Sequence, residues 1–463
     1  MEKDKRRVDG HGGHGGHVVL LPFPAQGHMN PLLQFGKLLT TKGLKVTLAT
    51  TIFLSKSIHI KPGTSDVGIE TISDGFDETG LSTPEGLQAY FKRFKEVGSQ
   101  TLANLIKTHE NSCDPVSCIV YDSTCPWAID VAKGFGLIGA IFFTSSISAA
   151  SIHYHAYNGM LKAPVLDQPT IFLPGLPPLS PSDLPSSLHV AEESSSKLDV
   201  LSSRFSTVKK ADYVLFNTFD ELESEAVSWM KQQFPHVKTI GPSIYLDKQN
   251  KYDKDHSISL FKPSENSYME WLNTRESESV IYMSFGSVVP LSKEQMEELA
   301  WGLRDSGKNF LWVVKETEEM KLPLNFIKET SNKGLVVKWC SQMEVLAHEA
   351  IGCFITHCGW NSILEGLSMG VPLVAMPMLW DQPLNAKFVE DVWGVGIRTK
   401  MNDKGLVGRE ELLFCIREVM QGDRRKTMKN NVSSWKTSAK DAMDIGGSSY
   451  VNINEVVARL RSI

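Results

Sequence analysis

Short apolar runs alternate with helical patterns along the first half of the chain. His17–Phe23 (HVVLLPF) is apolar enough for a buried strand, and Leu44–Thr50 (LKVTLAT) predicts another. Between them, a turn-rich loop (PAQGHMN) leads into a predicted helix that has Pro31 in its first turn and Gly43 at its end. The spacing predicts a β-α-β unit that lacks the GxGxxG sequence of dinucleotide-binding folds.

Three polar residues follow separate predicted strands. Asp122 comes directly after Ser117–Tyr121, Thr144 comes directly after Ile138–Phe143, and His28 lies in the loop after the first strand. Because the carboxyl ends of parallel strands open onto one crevice, we expect these side chains to converge. Taken singly, each has a plainer interpretation: Asp122 would cap the helix that follows it, and His28 would be an ordinary loop residue.

The second half of the chain repeats the alternation. Ser292 and Gln295 form a predicted capping box at the start of a helix. Predicted strands occupy Val280–Ser284, Phe310–Val314, Leu335–Lys338, Gly352–Thr356 and Pro372–Met376. Two strings of alternating strands and helices imply an α/β protein with two doubly wound parallel sheets.

A length of 463 residues exceeds what one hydrophobic core normally supports. Residues 245–264, rich in charge and poor in apolar positions, are the best candidate for a linker between two domains. The predicted divisions are a disordered tail over 1–16, a Rossmann-like domain over 17–244, the linker over 245–264, a second Rossmann-like domain over 265–445 and a C-terminal helix within 446–463. The spacing leaves open whether that last helix packs back onto the first domain.

The stretch Trp339–Gln382 carries more polar and aromatic side chains than a bare α/β scaffold requires. Inside it, the apolar run Gly352–Thr356 predicts a buried strand, the letters HCGWNS predict a tight turn, and a helical pattern begins at Ile363. The N-terminus of such a helix presents free N–H groups and a positive dipole end, which suits a phosphate. Glu365 lies one helical turn after Asn361, so the two share a face.

Composition narrows the class of protein further. The chain is 41% hydrophobic and 22% charged with a net charge of −5, which gives no argument for nucleic acid or an anionic membrane as a partner. No apolar run approaches the ~18 residues of a membrane span, and the Gly/His-rich N-terminus lacks the apolar core of a signal peptide. Seven scattered cysteines favour reduced thiols in the cytoplasm and offer no zinc-type spacing.

In the stretch Trp339–Gln382 and at several other points, the chain resembles the plant UDP-sugar-dependent glycosyltransferases of family 1, which have the GT-B fold. Their signature box is 44 residues long, the length of Trp339–Gln382, and it shares the letters WC-Q--VL-H---GCF-THCGWNS-LE----GVP-VA-P---DQ. Further landmarks are GHVVLLPFPAQGHMNPLLQF, YDSTCPWAIDVAK, FNTFDELE and YMSFGS, so the likeness covers nearly everything after about residue 16. The chain looks most similar to the subfamily of salicylate, auxin-type and thiohydroximate glucosyltransferases, some of which act on steroids and terpenoids.

The resemblance implies a donor site for a UDP-sugar in the second domain and an acceptor site in the first. The donor-binding residues it implies are Thr144, Ser287, Trp339, Cys340, Gln342, His357, Trp360, Asn361, Ser362, Glu365, Trp380, Asp381 and Gln382. By the resemblance, Trp339 stacks on uracil, with Cys340 and Gln342 at its polar edge or the neighbouring ribose. Glu365 accepts the ribose hydroxyls.

The remaining implied roles concern the diphosphate and the sugar. His357, Asn361, Ser362 and Ser287 meet the diphosphate at the helix N-terminus. Trp360 packs beside the sugar, Asp381 and Gln382 bind its hydroxyls, and Thr144 meets the sugar or the diphosphate from the first domain. A Gln at the last position of the box usually accompanies glucose in this family, whereas a His usually accompanies galactose.

The chemistry of glucosyl transfer gives two further residues a part. The acceptor must lose a proton as it attacks, and His28 is the candidate base, with Asp122 fixing its tautomer and steadying the imidazolium. The helix N-terminus and His357 can stabilise the leaving UDP without Mg²⁺, and no Asp-x-Asp pair lies near the box. We therefore expect no metal and no cofactor, with UDP-glucose as the co-substrate and inversion at the anomeric carbon.

The predicted protein is a cytoplasmic, monomeric glucosyltransferase without a membrane span or nucleic-acid partner. Its acceptor is a small lipophilic metabolite, whether phenolic, steroid, terpenoid or carboxylic acid, and the attacking group is either a hydroxyl or a carboxylate. Variable segments near residues 75–100, 145–160 and 183–205 are expected to form the acceptor pocket. The alternatives are a nucleotide-sugar epimerase-like enzyme and a non-catalytic UDP-sugar-binding protein of the same fold.

Overall fold

The first sheet is formed by the strands predicted in the first half of the chain together with β3 and β7, which the pattern does not predict. In this computed structural model, which describes residues 15–57, 67–165, 169–189, 204–244, 267–286 and 290–462, seven parallel strands lie in the order β3-β2-β1-β4-β5-β6-β7. They are β1 (His17–Leu21), β2 (Lys45–Thr51), β3 (Val67–Ile72), β4 (Val116–Asp122), β5 (Ile138–Phe143), β6 (Tyr213–Phe216) and β7 (Val237–Thr239).

The second sheet has the same design. Six parallel strands of the described residues lie in the order β10-β9-β8-β11-β12-β13. They are β8 (Val280–Ser284), β9 (Asn309–Val313), β10 (Gly334–Val337), β11 (Ile351–Thr356), β12 (Leu373–Ala375) and β13 (Gly396–Arg398). These two sheets confirm the predicted α/β class with two Rossmann-like parallel sheets.

The strand order reverses once in each sheet, between β1 and β4 in the first and between β8 and β11 in the second. At such a point the connections leave toward opposite faces of the sheet, and a crevice opens beyond the carboxyl ends of the two central strands. The residues after β1, β4, β8 and β11 are therefore the ones that the fold presents to a ligand. They include the start of the helix that follows β1, which carries His28, and the turn that begins at His357.

Helices cover both faces of each sheet. They are α1 (Gln26–Thr41), α2 (Ile52–Ser55), α3 (Gly86–His109), α4 (Ala128–Gly134), α5 (Ile147–Tyr157), α6 (residues 204–208), α7 (Ser224–Gln233), α8 (Ser267–Asn273), α9 (Lys293–Asp305), α10 (Phe326–Thr330), α11 (Gln342–Leu346), α12 (Trp360–Met369), α13 (Gln382–Lys387), α14 (Arg409–Met420), α15 (Arg425–Met443) and α16 (Ser448–Arg461). Strands β1, β5, β8 and β12 are buried along their whole length, as expected for parallel sheets with helices on both faces.

The last helix packs on the first sheet, which settles the question that the spacing left open. Ile453, Val456 and Leu460 of α16 belong to the same buried cluster as strands β1 and β2. Ser449 Oγ donates to Gly241 O at 2.6 Å, and Asn452 Nδ2 donates to Thr239 O at 2.9 Å. The chain thus crosses back, and its end ties the two halves together.

Two predicted local features are wrong in detail. The first helix begins at Gln26, so the segment expected to be a loop is already helical and Pro31 lies inside the helix, not in its first turn. Ser292 does cap α9, since its Oγ accepts from Gln295 N, but no reciprocal box forms. The Gln295 side chain instead exchanges two hydrogen bonds with the backbone of Val407. The predicted tail and linker lie largely or wholly outside the described residues.

Gly352 in β11 has no room for a side chain. A Cβ there would lie 2.3 Å from Glu278 O, a backbone atom that cannot rotate away. We expect Gly352→Ala to lower the free energy of unfolding by about 2 kcal/mol, the range for overpacking a rigid site, with a lower melting temperature in a thermal scan. Gly134→Ala is the matched control, because a Cβ at Gly134 would have nothing within 4 Å. This variant is expected to leave the melting temperature unchanged or to raise it. Equal melting temperatures for the two variants would contradict the steric argument.

Candidate active site

The three polar residues predicted to converge do meet at the carboxyl edge of the first sheet. His28 lies in the first turn of α1, Asp122 is the last residue of β4, and Thr144 directly follows β5. His28 Nδ1 lies 2.8 Å from Asp122 Oδ2 and 3.1 Å from Thr144 Oγ1. Asp122 is fully buried, while 29% of the His28 side chain is exposed. One ring edge is thus held by the protein and the other is accessible.

Asp122 is not a helix cap, since α4 begins only at Ala128. Its second oxygen, Oδ1, accepts from the backbone N–H of Thr124 at 2.8 Å and from Thr124 Oγ1 at 2.6 Å. Burial alone would raise the pKa of the Asp122 carboxyl, but the His28 charge and the hydrogen bonds from His28 and Thr124 outweigh burial and lower that pKa. Asp122 is therefore an ionised acceptor facing the imidazole.

This arrangement selects one tautomer of His28. An ionised carboxylate has no proton to donate, so the Nδ1 of His28 carries the proton and donates to Asp122 Oδ2. The lone pair is then on Nε2, the other ring nitrogen. A base with its proton-accepting nitrogen turned away from its carboxylate partner can take a proton from a ligand in the crevice.

The second sheet contributes a turn and a helix N-terminus. Strand β11 ends at Thr356, and α12 begins at Trp360 with Gly359 at its N-cap and no side-chain cap. Cys358, in the turn between them, has a positive φ of 65°, which L residues rarely adopt outside functional sites. The N–H groups of the first turn of α12 therefore lack a side-chain acceptor, which is the arrangement that suits a phosphate.

His357 precedes this helix and is packed between two glycines. A Cβ at Gly286 would lie 2.9 Å from the imidazole, and a Cβ at Gly359 would lie 2.6 Å from it. Burial, with the Lys315 charge adding to it, lowers the pKa of His357 to about 4. The ring is therefore neutral near pH 7, and its buried Nδ1 has no partner.

A hydrogen-bonded group joins three of the predicted donor-binding residues. Gln342 Nε2 donates to Glu365 Oε2 at 2.6 Å and to Ser362 Oγ at 3.1 Å, and Gln342 Oε1 accepts from Tyr282 OH at 3.2 Å. Cys340 Sγ lies 3.5 Å from the same Tyr282 hydroxyl. Burial raises the pKa of Glu365 to about 7, although the Gln342 hydrogen bond opposes the shift. Trp339, half-buried, lies two residues after the end of β10 and directly before Cys340.

The end of the box forms a tightly held loop. Gln382 Oε1 accepts from the backbone N–H groups of Met378 and Leu379, at 2.9 and 2.8 Å. Its carbonyl is therefore occupied by the protein, and the amide NH₂ is the end left for a ligand. Asp381 accepts from Asn385 Nδ2 at 3.1 Å, and burial raises its pKa. Trp380 has a positive φ of 56° and is 45% exposed.

Trp360, which the resemblance implies packs beside the sugar, lies between the two halves of the chain. It is 3% exposed, and its indole N–H donates to Asn217 O in the first half of the chain at 2.7 Å. Trp393 makes a similar contact with Leu222 O at 3.0 Å. Ser287 lies outside the described residues.

Asn361 also contacts the first half of the chain. This contact compensates for the presence of Pro31 inside α1. Because proline has no N–H, the carbonyl of Gly27, four residues earlier, has no intrahelical donor. Asn361 Nδ2 donates to that carbonyl at 2.6 Å. The helix N-terminus of the second sheet is thus joined to the peptide next to His28, which brings the base and the phosphate-type site together.

Sequence reasoning missed several residues near the crevice. Ser186 bonds the Trp380 backbone through its Oγ and its N–H, at 2.7 and 2.8 Å, and Arg398 Nη1 pairs with buried Asp183 at 2.6 Å. Arg204 is 5% exposed, and both Asp122 and Asp381 act on its charge. No local pattern marks these residues, because each has its partner far away in the chain.

Two absences can be stated for the part of the chain that the structure describes. No group of three or more His, Cys, Asp or Glu side chains within it is placed to hold a metal ion. Within the same residues, no helix has both the length and the apolar character needed to span a bilayer.

Over nearly its whole length, the sequence is similar to named glycosyltransferases. The family profile described as "UDP-glucoronosyl and UDP-glucosyl transferase" matches residues 202–441, and one described as "Glycosyltransferase, N-terminal domain" matches residues 16–73. Mogroside I-E synthase of Siraitia grosvenorii is 47% identical over 449 residues, which cover 96% of this chain and 98% of that protein. The chain belongs to the plant UDP-glycosyltransferase family. Flavonol 7-O-beta-glucosyltransferase UGT74F1 of Arabidopsis thaliana is 44% identical over 454 residues, covering 96% and 98%.

Solved structures of plant UDP-glycosyltransferases share the fold. Os79 from O. sativa in complex with UDP superposes with a TM-score of 0.89 at 37% identity, covering 96% of this chain and 100% of Os79. Os79 in complex with U2F and trichothecene gives a TM-score of 0.87 at 38% identity, with the same coverage. This UDP-glycosyltransferase therefore has the GT-B architecture, and it transfers a sugar from a UDP-sugar to a small metabolite.

The raised pKa of Glu365 makes the stability of this UDP-glycosyltransferase depend on pH. The folded state holds the Glu365 proton up to a pH of about 7, whereas the unfolded state loses it near 4.5, so this residue reduces stability progressively as pH rises from 4.5 through 7. The full effect is about 3 kcal/mol at most. We therefore compare the melting temperature of Glu365→Gln with that of the unmodified enzyme, both without ligand. The difference, variant minus unmodified, is expected to increase as the pH rises from 5 to 8. A difference that stays constant across this range would show that Glu365 titrates normally.

Proposed function

We propose that this enzyme is an inverting glucosyltransferase that moves glucose from UDP-glucose to a hydroxyl or carboxyl of a small lipophilic plant metabolite, without a metal ion. The observation that carries the proposal is the contact of 2.6 Å between Asn361 Nδ2 and Gly27 O. It brings a base–carboxylate pair from one sheet next to an uncapped helix N-terminus from the other. A nucleophile activated on one side then faces a diphosphate held on the other.

His28 acts as the general base in this mechanism. As the acceptor oxygen forms its bond to the anomeric carbon, its proton passes to His28 Nε2 and the bond from that carbon to the UDP oxygen breaks. Asp122 keeps the imidazole in the required tautomer and stabilises the imidazolium that forms. Attack from the side opposite UDP inverts the anomeric carbon and gives a β-glucoside from an α-linked donor.

The leaving UDP is stabilised by dipoles and hydrogen-bond donors of the second half. The uncapped N–H groups of α12 and its positive dipole end support binding of the diphosphate. His357 is neutral, so it serves as a hydrogen-bond donor and not as a cation. Glu365 and Gln342 form the ribose end of the donor site, and Trp339 is proposed to stack on uracil. This set of groups supports a reaction that needs neither a metal nor a cofactor.

The sugar is proposed to be glucose, recognised by Asp381 and Gln382. Because the Gln382 carbonyl is already bonded to two backbone N–H groups, its NH₂ faces the sugar as a donor. The acceptor side is apolar and aromatic: Phe143 stacks on Phe205 with ring centroids 6.1 Å apart, and Tyr154 lies 5.2 Å from Phe205. The relatives named for mogroside and flavonol glucosylation support a bulky lipophilic acceptor.

The seven cysteines are all unpaired, which supports a reducing compartment such as the cytoplasm. Six of them are buried. A monomer is the simplest assembly consistent with a crevice formed by one chain.

Removal of the base tests the mechanism. We expect His28→Ala to lower kcat/KM for a hydroxyl acceptor by about 10³-fold, because general-base catalysis typically contributes 10²- to 10⁴-fold. Asp122→Asn is expected to cause a comparable loss, since an amide donating to Nδ1 would place the imidazole proton on Nε2. Product mass spectrometry measures the rates, and calorimetric UDP binding, unchanged in both variants, is the control. Full glucosylation by His28→Ala would rule out the base assignment.

The donor assignment has its own test. Purified enzyme is expected to use UDP-glucose at least tenfold better in kcat/KM than UDP-galactose, and Gln382→His is expected to shrink that ratio. The loop held by Gln382 Oε1 is disturbed in that variant, so Gln382→Glu, which keeps the carbonyl-type acceptor, is the control for loop integrity. Equal turnover of both donors by the unmodified enzyme would show that the sugar is assigned wrongly.

A further inference from the structure

Arg204 is a buried charge that the proposed mechanism does not use. The side chain is 5% exposed and belongs to the described part of α6, residues 204–208. Its Nε is buried and has no hydrogen-bond partner, and no carboxylate of the described residues forms an ion pair with it. Burial lowers the pKa of Arg204 only to about 10, so the guanidinium remains charged near neutral pH. A buried cation without a partner is costly, and proteins rarely keep one without a function.

The surroundings place this guanidinium beside the reaction centre. Its Cζ lies 5.7 Å from the ring centroid of Phe143, and Phe143 immediately precedes Thr144, which contacts His28. The charges of Asp122 and Asp381 both act electrostatically on Arg204. Arg204 therefore lies near the His28–Asp122 pair and the predicted sugar loop.

A second polar group nearby is also unsatisfied. His153, 5% exposed on α5, has a buried Nδ1 without a partner, while its Nε2 lies 3.2 Å from Ser187 Oγ. Burial, with the Arg204 charge adding to it, lowers the pKa of His153 to about 3, so the imidazole is neutral. Arg204 Nε and His153 Nδ1 are thus two buried polar atoms without a hydrogen-bond partner, and the Arg204 charge acts on the His153 ring.

The ligand that fits such a pair is a carboxylate. A guanidinium binds a carboxylate through two parallel N–H···O bonds, and the free Nε of Arg204 is one of the donors needed. The charges of two nearby aspartates, Asp122 and Asp381, would repel an anionic acceptor if Arg204 were absent. A neutral hydroxyl or carbonyl would leave the buried charge without compensation.

We propose that Arg204, with His153 beside it, binds the carboxylate of the acceptor, so that this enzyme selects small lipophilic acids over their neutral analogues. The inference rests on the proposed acceptor side of the crevice and narrows its substrate class. Arg204 is a specificity-determining residue here, not a proton-transfer group. For an acid that also carries a hydroxyl, the reaction itself is unchanged: the hydroxyl oxygen attacks, its proton passes to His28 and UDP leaves.

The test compares an acid with its neutral ester. The probes are 3-(4-hydroxyphenyl)propionate and its methyl ester, titrated calorimetrically into the UDP-loaded enzyme and then assayed with UDP-glucose for the phenolic O-glucoside. We expect the acid to bind on the order of tenfold tighter than the ester and to have a correspondingly lower KM. In Arg204→Met the ratio falls to about one with ester binding unchanged, while Arg204→Lys retains part of the preference.

A matched control separates a binding role from a structural one. Arg275, two residues after the end of α8, likewise has a buried Nε without a partner, and its Cζ lies 4.5 Å from the ring centroid of Trp271. Arg275→Met is expected to leave both ligands unaffected. Removing an unpaired buried charge should also leave the melting temperature of Arg204→Met equal or higher.

Any of three results would overturn the proposal. The unmodified enzyme could bind acid and ester equally. Arg204→Met could keep the preference for the acid, or it could melt at a lower temperature and lose binding of both ligands alike. The calorimetric comparison of acid and ester needs no turnover. If the enzyme fails to transfer glucose, the proposed function is refuted, but the calorimetric comparison still decides the role of Arg204.

Discussion

The chemistry of this enzyme depends on holding the carboxyl ends of two parallel sheets face to face, because neither sheet carries a complete site. The first sheet supplies His28, the proposed base, with Asp122 beside it, and the second supplies the uncapped N-terminus of α12. Buried contacts between the two halves maintain this arrangement: the indole N–H groups of Trp360 and Trp393 donate to backbone carbonyls, and Arg398 pairs with Asp183. Backbone carbonyls cannot move without the strands or loops that carry them, so these contacts fix the two halves in register.

The alternation of apolar runs was sufficient to predict both sheets and the crevice at their strand ends, and hence the meeting of His28, Asp122 and Thr144. The pattern missed β3, an edge strand whose polar, partly exposed residues hide its periodicity. It also missed α3, whose buried positions are sparse over 24 residues. Features that depend on distant partners were not predictable, such as the position of Trp360 between the halves and the burial of Arg204. A single sequence does not record which backbone carbonyl or which charge lies opposite a side chain.

Buried ionisable groups in the crevice reach three different states by different physical routes. Asp122 stays ionised because His28 and Thr124 outweigh its burial. Glu365 has only the amide of Gln342 for support, so burial prevails and its proton is held to about pH 7. His357 has no carboxylate partner and is neutral. This distribution agrees with the proposed mechanism, in which a charge is retained beside the proposed base and charge is reduced where the anionic donor is proposed to bind.

Because of Pro31, the first turns of α1 depend on a hydrogen bond from the second half of the chain. A residue that weakens the first turns of α1 leaves one carbonyl, that of Gly27, without an intrahelical donor, and the second half of the chain provides that donor through Asn361. The local order of the turn that bears His28 therefore depends on the position of a side chain belonging to the other sheet. If Asn361 turns toward a phosphate, the Gly27 carbonyl must seek water, and the backbone beside the base loosens.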